Sequence, residues 1–425
     1  MRTLLRDAAF IIRHKRAKQD FTRNRVLTFD VLFLIVFRKS MKSLQLMLNE
    51  FIPELALPAQ TVSGAAFSKA RKKILHTAFI ELNHQAIVET TYADEYKTYK
   101  GLRILAIDGS KIQLPDTPEI KEAFGAITVR NQYDDVEGTY ACALASVLYD
   151  TENNIAIHAL FEPGKSSEID CARKHLSHIR EHDLIIFDRG YCAYRIMAFM
   201  AETKGDFLIR CHRNSFSIAN DMLAGKGQDD VIVTLRRDSV LHKKYPDANL
   251  PKTLTVRFVR VLLDTGEYEV LATSLMDHNA FPTSDFKALY WKRWGIETFY
   301  GKAKTRLMLE NFSGISAESV KQDFYATILL MGFESLLTEE SDESLATKDT
   351  VHEQRVNKAV AFNAIKQRAF DLFLGDEPLE NVLLELEVLF AKNPTLYREG
   401  REVPRRKINV HRILNFFRRK KKVVF

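Results

Sequence analysis

Three acidic residues sit where a carboxylate could do chemistry. Asp108 follows the apolar run Leu102 to Ile107 and precedes Gly109-Ser110. Asp188 follows Leu184 to Phe187 and precedes Arg189-Gly190-Tyr191. Ligands in open α/β sheets usually bind at the carboxyl ends of strands. Two aspartates there, on neighbouring strands, could bridge a hard cation such as Mg²⁺ through oxygen. Each could equally cap a turn. The third acid, Glu297, lies within Tyr290 to Lys304. If that segment is one helix, Tyr290, Arg293, Glu297 and Lys304 share a stripe roughly 60° wide. A core stripe would be apolar, whereas this one carries a hydroxyl, two cations and a carboxylate. Trp291, Trp294, Phe299 and Tyr300 flank it. Pairing of Arg293 with Glu297 at i,i+4 accounts for part of the pattern. An acid between phosphate-binding cations is what a nuclease helix needs.

The elements that must hold these residues alternate between strand and helix patterns. Strands are predicted at Leu102–Ile107, Tyr140–Tyr149, Asn154–Phe161, Leu184–Phe187 and Phe207–Cys211, with helices at Cys171–His182 and Ala193–Lys204. This mixture points to an α/β core. Residues 213–285 show β-branched alternation and turn signals such as Asp264-Thr265-Gly266, without a convincing helix, and read as a β-rich insertion. Helices follow at Asp285–Leu309 and Ser316–Leu337, then an acidic linker at 338–350 and a helical region to Lys392. Residues 1–95 read as helical. There, Arg71, Lys72 and Lys73 stand beside an apolar stripe after a cap at Ser63, a pattern compatible with a helix-turn-helix or with a plain amphipathic helix. The division is therefore a helical DNA-binding region (1–95), a catalytic core (96–212 and 286–337), the insertion (213–285), and a helical C-terminal region with a basic tail (338–425).

At 425 residues the chain has room for two to four domains of roughly 100–200 residues. Its 46% hydrophobic and 28% charged content excludes a disordered or fibrous protein. Apolar runs near the N-terminus fall short of the ~20 residues a bilayer needs, and basic residues interrupt them. A cytoplasmic, nucleoid-associated protein without a membrane partner is expected. The net charge of +7 is unevenly spread. Residues 398–425 hold eleven lysines and arginines against two glutamates, and residues 1–30 hold eight against three aspartates. Basic ends on an acidic body suit a polyanion such as nucleic acid, or a solubilising tail. Cys142, Cys171, Cys192 and Cys211 form no Cys-x-x-Cys, which disfavours a zinc ribbon or a disulfide scaffold. His175, His178 and His182 read as a solvated helix face rather than a zinc site.

Asp108-Gly-Ser, Asp188-Arg-Gly-Tyr and Tyr290-x2-Arg293-x3-Glu297-x6-Lys304, in that order, resemble the DDE transposases of bacterial insertion sequences, specifically the insertion-sequence-four type with its Tyr-Arg-Glu-Lys signature. The resemblance covers about residues 100–310. It implies a ribonuclease-H-like core with a β-rich insertion between the second Asp and the Glu. It implies that Asp108, Asp188 and Glu297 are catalytic and hold two Mg²⁺ ions about 3.5–4 Å apart, with Mn²⁺ able to substitute. By the same resemblance Tyr290, Arg293 and Lys304 hold the 5′ transposon strand, and Trp294 either stacks on a displaced base or packs in the core. The implied activity is cleavage of double-stranded DNA at terminal inverted repeats and joining of the 3′-hydroxyl to target DNA, by cut-and-paste and with a hairpin route permitted. Synapsis implies a homodimer in the working complex. An inactive DNA-binding relative and a stand-alone metal-dependent nuclease are the alternatives.

Overall fold

A computed structural model describes the chain except residues 24, 41, 56–60, 131–135, 238–249 and 398–425. The expected basic tail therefore lies outside the described residues. The chain divides into two compact units. One comprises Asp94–Lys111 and Leu144–Gly301, the other Met1–Ala93, Ile112–Ala143 and Lys302–Phe425.

The first unit is built on a sheet whose inner strands are almost wholly apolar, as strands covered on both faces must be. The strands of that sheet, in chain order, are β1 (Arg103–Gln113), β2 (Ala126–Arg130), β3 (Val136–Asp150), β4 (Ile155–Pro163), β5 (Asp183–Phe187), β6 (Asp206–Arg210), β7 (Asp230–Arg236), β8 (Thr253–Leu262) and β9 (Tyr268–Thr273). Their order is β2-β3-β1-β5-β6-β9-β8-β7, with β4 against β3. β1, β5 and β6 run parallel. The fold is α/β, with the strand arrangement β4-β3-β1-β5-β6 of a ribonuclease-H-like core. The residues expected to form an insertion supply β7, β8 and β9, and β9 joins the core sheet antiparallel to β6. A helix, Ser217–Leu223, precedes these strands, which the turn-rich reading of 213–285 did not anticipate.

The second unit contains the N-terminal helices, the helix Ala317–Ala346 and the C-terminal helices Lys358–Gln367, Ala369–Phe373 and Leu379–Lys392. There β2 pairs with the first half of β3, from Ala126↔Ala141 to Arg130↔Val136. Aromatic contacts fill its core: the Phe33 and Phe79 rings stack at 4.4 Å and Phe37 meets Phe373 at 5.3 Å. The helix from Ala317 starts at a Ser316 capping box and continues to Ala346. The stretch read as an acidic linker is thus helical through residue 346. Thr338 bonds the Glu334 carbonyl oxygen at 3.0 Å, and Leu345 is buried. Among the described residues no helix is long and apolar enough to cross a membrane.

The helix predicted to start near Ser63 is Gly64–Arg71, and Ser63 accepts from the Ala66 N–H. It packs beside Leu44–Phe51, where the Gln45 side chain bonds the Val62 carbonyl and the Gly64 N–H. Arg71 is a correction. It is 4% exposed and points inward. Its Nε donates to Gln322 at 2.5 Å, its Nη1 to Ser313 at 2.7 Å, and its Nη2 to Asp323 at 2.7 Å and to the Ser319 carbonyl at 2.8 Å. All of these partners lie far along the chain, so the local pattern placed Arg71 on the wrong face. Lys73 is half-buried and lies 3.5 Å from Asp20, leaving Lys72 and the unforeseen Lys69 as exposed cations of this helix.

Candidate active site

The site follows from the register of two parallel strands. β1 and β5 pair from Arg103↔Asp183 to Ile107↔Phe187. The next residues in that register are Asp108 and Asp188, on strands spaced about 4.8 Å apart. A buried bidentate ion pair fixes the register: Arg103 donates to both Asp183 carboxylate oxygens, at 2.7 and 2.6 Å. β1 does not end at Asp108, as the glycine after it suggested, but runs on to Gln113. It is the pairing with β5 that stops there. Asp188 enters a short turn, Arg189–Tyr191, without capping it through its side chain.

Burial pushes the Asp108 carboxyl up to about 6; the Gly109 N–H and Arg293 oppose this, while Asp188 and Glu168 add to it. The Gly109 N–H donates to Asp108 Oδ1 at 2.8 Å. Gly109 lies close against Glu168: an added Cβ would fall 3.0 Å from Glu168 Cγ, so that side chain would have to give way. Glu168 is exposed at the start of the helix Glu168–His175, behind its cap Ser167. It is a fourth carboxylate at the site, and nothing in its own sequence neighbourhood marks it.

Tyr290, Arg293 and Glu297 do not lie on one continuous helix. Asp285–Trp291 and Trp294–Thr305 are separate, joined by tighter bonds such as Arg293 N–H to the Tyr290 carbonyl at 3.1 Å. Gly295 sits against Thr151, whose Cβ would lie 3.1 Å from an added Cβ. The single stripe drawn for a straight helix therefore holds only from Glu297 to Lys304. Tyr290 is 5% exposed and packs in the core with Leu289, Phe286 and Leu271. Arg293 is 5% exposed, with its guanidinium 5.6 Å from the Tyr290 ring centroid and 5.3 Å from that of Trp294. Its Nη2 donates to Glu297 Oε1 at 2.7 Å. The Tyr290 hydroxyl and Arg293 Nε are buried without a hydrogen-bond partner. Burial raises the Tyr290 hydroxyl far above the ordinary range.

Tyr300, one turn beyond Glu297, was legible only as an aromatic neighbour. Its hydroxyl lies 3.0 Å from the carbonyl oxygens of both Asp108 and Ala145, which ties the Glu297 helix to β1 and β3. Lys304 follows Glu297 by two turns on the same helix. Trp294 is partly exposed and its ring lies 5.8 Å from that of exposed Trp291, so it is not a core residue. The histidine face is also corrected. His175 is fully buried, 3.0 Å from Ser146 Oγ and 2.9 Å from His158 Nδ1.

Carboxylate oxygens suit hard divalent cations, and the partly buried Asp108, which Asp188 and Glu168 repel, is a place where such a charge would be favourable. Among the described residues no three His, Cys, Asp or Glu side chains are gathered closely enough to hold a metal ion. Asp108 and Asp188 are brought together, while Glu297 is engaged with Arg293. Two carboxylates of the kind a hard divalent ion prefers therefore stand together here, and the third is held by an arginine.

An α/β core with two aspartates where the β1–β5 pairing stops, and an Arg–Glu pair at the start of a helix, is the arrangement of a DDE-class transposase domain. Residues 99–332 match the family model described as a transposase DDE domain, and the chain belongs to that family. It is 25% identical over 233 residues to the transposase InsG of insertion sequence element IS4 from Escherichia coli K12, covering 54% of this chain and 50% of that protein. It is 24% identical over 130 residues to the putative transposase InsZ of the same strain, covering 30% and 42%. It is 26% identical over 145 residues to the putative transposase y4zB of Sinorhizobium fredii, covering 34% and 39%. These matches span half or less of each relative. A cryo-EM structure of a piggyBac transposase synaptic complex with hairpin DNA aligns with TM-score 0.46 and 8% identity, over 96% of this chain and 87% of that one.

Proposed function

We propose that this chain cuts DNA at the ends of its own insertion sequence and joins the freed 3′ ends to target DNA. The observation carrying this reading is the β1–β5 register, which sets Asp108 beside Asp188 at the edge of the sheet. Asp108, Asp188 and Glu297 would hold the divalent ions, Mg²⁺ or Mn²⁺. Bound there, such ions would acidify a water or a 3′-hydroxyl and stabilise the leaving oxygen. Arg293 releases Glu297 and turns to a backbone phosphate, which also meets its unpartnered Nε. The Tyr290 hydroxyl donates to the same strand, and Lys304 holds a phosphate further along it. Trp294 offers a face to an unstacked base, as a hairpin route would require. Lys72, with Lys73 at its edge, adds non-specific phosphate contacts. Two ends must meet two sites, so the working complex is at least a dimer on double-stranded DNA.

A labelled fragment carrying the element's own end, incubated with Mg²⁺ or with EDTA, tests this. Wild type should nick at the end only with metal. Glu297→Ala should lose on the order of a thousandfold in nicking while still shifting the fragment in a gel. Nicking that survives EDTA or the substitution would falsify the three-acid site. Binding without nicking by wild type would instead support an inactive DNA-binding relative.

A further inference from the structure

Cys192 ends the short turn that begins at Asp188, and Cys211 directly follows β6. β5 and β6 are parallel neighbours, so both cysteines leave the sheet at the same edge as Asp188. Both side chains are buried, and their sulfurs lie 3.6 Å apart. A disulfide needs roughly 2.05 Å, so the sulfurs must close by about 1.5 Å. The backbone on both sides is held: Cys211 N–H donates to the Val270 carbonyl at 2.8 Å, and Cys192 N–H to that of Arg189 at 3.2 Å. A hydrogen bond from Cys211 draws the Cys192 thiol below the ordinary range, against its burial, with help from the Ser215 hydroxyl and the His212 N–H. Cys211, bonded to Cys192 and buried, is pushed well above it. The pairing favours Cys192 over Cys211 as the nucleophile.

We propose that Cys192 and Cys211 are an oxidisable dithiol, a modification site through which a small peroxide disables the neighbouring strand-end site. The Cys192 thiolate attacks one oxygen of hydrogen peroxide. The O–O bond breaks, the departing hydroxide takes a proton to leave as water, and Cys192 becomes a sulfenic acid. The Cys211 thiol then attacks that sulfur, the S–O bond breaks, and a second water leaves. Two thiols lose two electrons and the peroxide is reduced to two waters. Only Arg189, Gly190 and Tyr191 separate Asp188 from Cys192, so closing the sulfurs pulls on the Asp188 turn. This last consequence rests on the proposed function, whereas the thiol chemistry does not.

The full-length protein, treated with hydrogen peroxide, is unfolded, its free thiols are counted, and its peptides are mapped by mass spectrometry. The expected result is loss of two of the four thiols, found as a Cys192–Cys211 crosslink that dithiothreitol reverses. Cys211→Ser should stop at a sulfenic acid on Cys192, trapped by a cyclic diketone. The crosslinked wild type should cut DNA about 100-fold more slowly, the scale of a roughly 1 Å displacement of a reacting group. Oxidation of Cys142 or Cys171 at the same rate, or separate sulfinic acids without a crosslink, would overturn the dithiol. Unchanged cutting by crosslinked protein would overturn the switch. Absence of cutting before any treatment strikes at the proposed activity and leaves the thiol result standing.

Discussion

Arg71 and Arg293 are almost equally buried, 4% and 5% exposed, and each faces an acid. Around Arg71, bonds reach Gln322, Ser313, Ser319 and Asp323 from all three of its nitrogens. Arg293 bonds Glu297 and leaves its Nε unmet, with the Tyr290 hydroxyl nearby in the same state. A buried donor left unmet costs about 1–3 kcal/mol. The first environment is complete in itself. The second carries a cost that a bound polyanion could recover. Burial alone therefore does not distinguish the two arginines, but the completeness of their hydrogen bonding does.

The largest effect should come from removing the two arginines separately. Arg71→Ala strands the Asp323 charge and should lower stability by about 4 kcal/mol. Arg293→Ala should cost under about 1 kcal/mol, because the freed Glu297 side chain, 29% exposed, meets water. Urea unfolding of both variants decides this, and equal losses would end the distinction.

A smaller effect separates the acids by pH. Burial raises Asp323, but Arg71, Lys39 and Ser313 bring it net below the ordinary value. Its stabilisation is present above the unfolded-state pKa and is lost as pH falls through its still lower folded one. Asp108 has the opposite sign. With a folded value of about 6 against 3.8, its fold binds more protons, so stability falls as pH rises between those values. Asp108→Asn should therefore stabilise metal-free protein at pH 7 by up to about 3 kcal/mol, with the gain vanishing near pH 4. A gain that persists in acid would point to packing rather than charge.

Smallest, Tyr290→Phe removes an unmet hydroxyl and should leave stability unchanged or raise it by about 1 kcal/mol, while weakening DNA binding. Destabilisation in urea would mean that the hydroxyl is structurally engaged.

Most of the sheet was legible, because β5, β6 and the first half of β1 are short apolar runs. The placement of Asp108 and Asp188 directly after such runs was legible for the same reason, as was the Ser63 cap. What failed depended on distant partners. Arg71 looked like a surface cation because Asp323 is far along the chain. The break after Trp291 carries no proline, and the close approach of Gly295 to Thr151 is tertiary. His175 looked solvated because Ser146 and His158 lie on strands rather than on its own helix. Glu168 escaped notice for want of any local motif.

The Arg103–Asp183 clamp sits five residues before the aspartate pair on both strands, roughly 16 Å of extended chain. It works as a common origin from which two rulers of equal length are laid off. Insertions between residues 113 and 183 leave both rulers untouched, whereas one residue gained or lost within either would put an aspartate on the opposite face of the sheet. Length variation among descendants of this sequence should therefore collect in the intervening loops and spare these two five-residue spans.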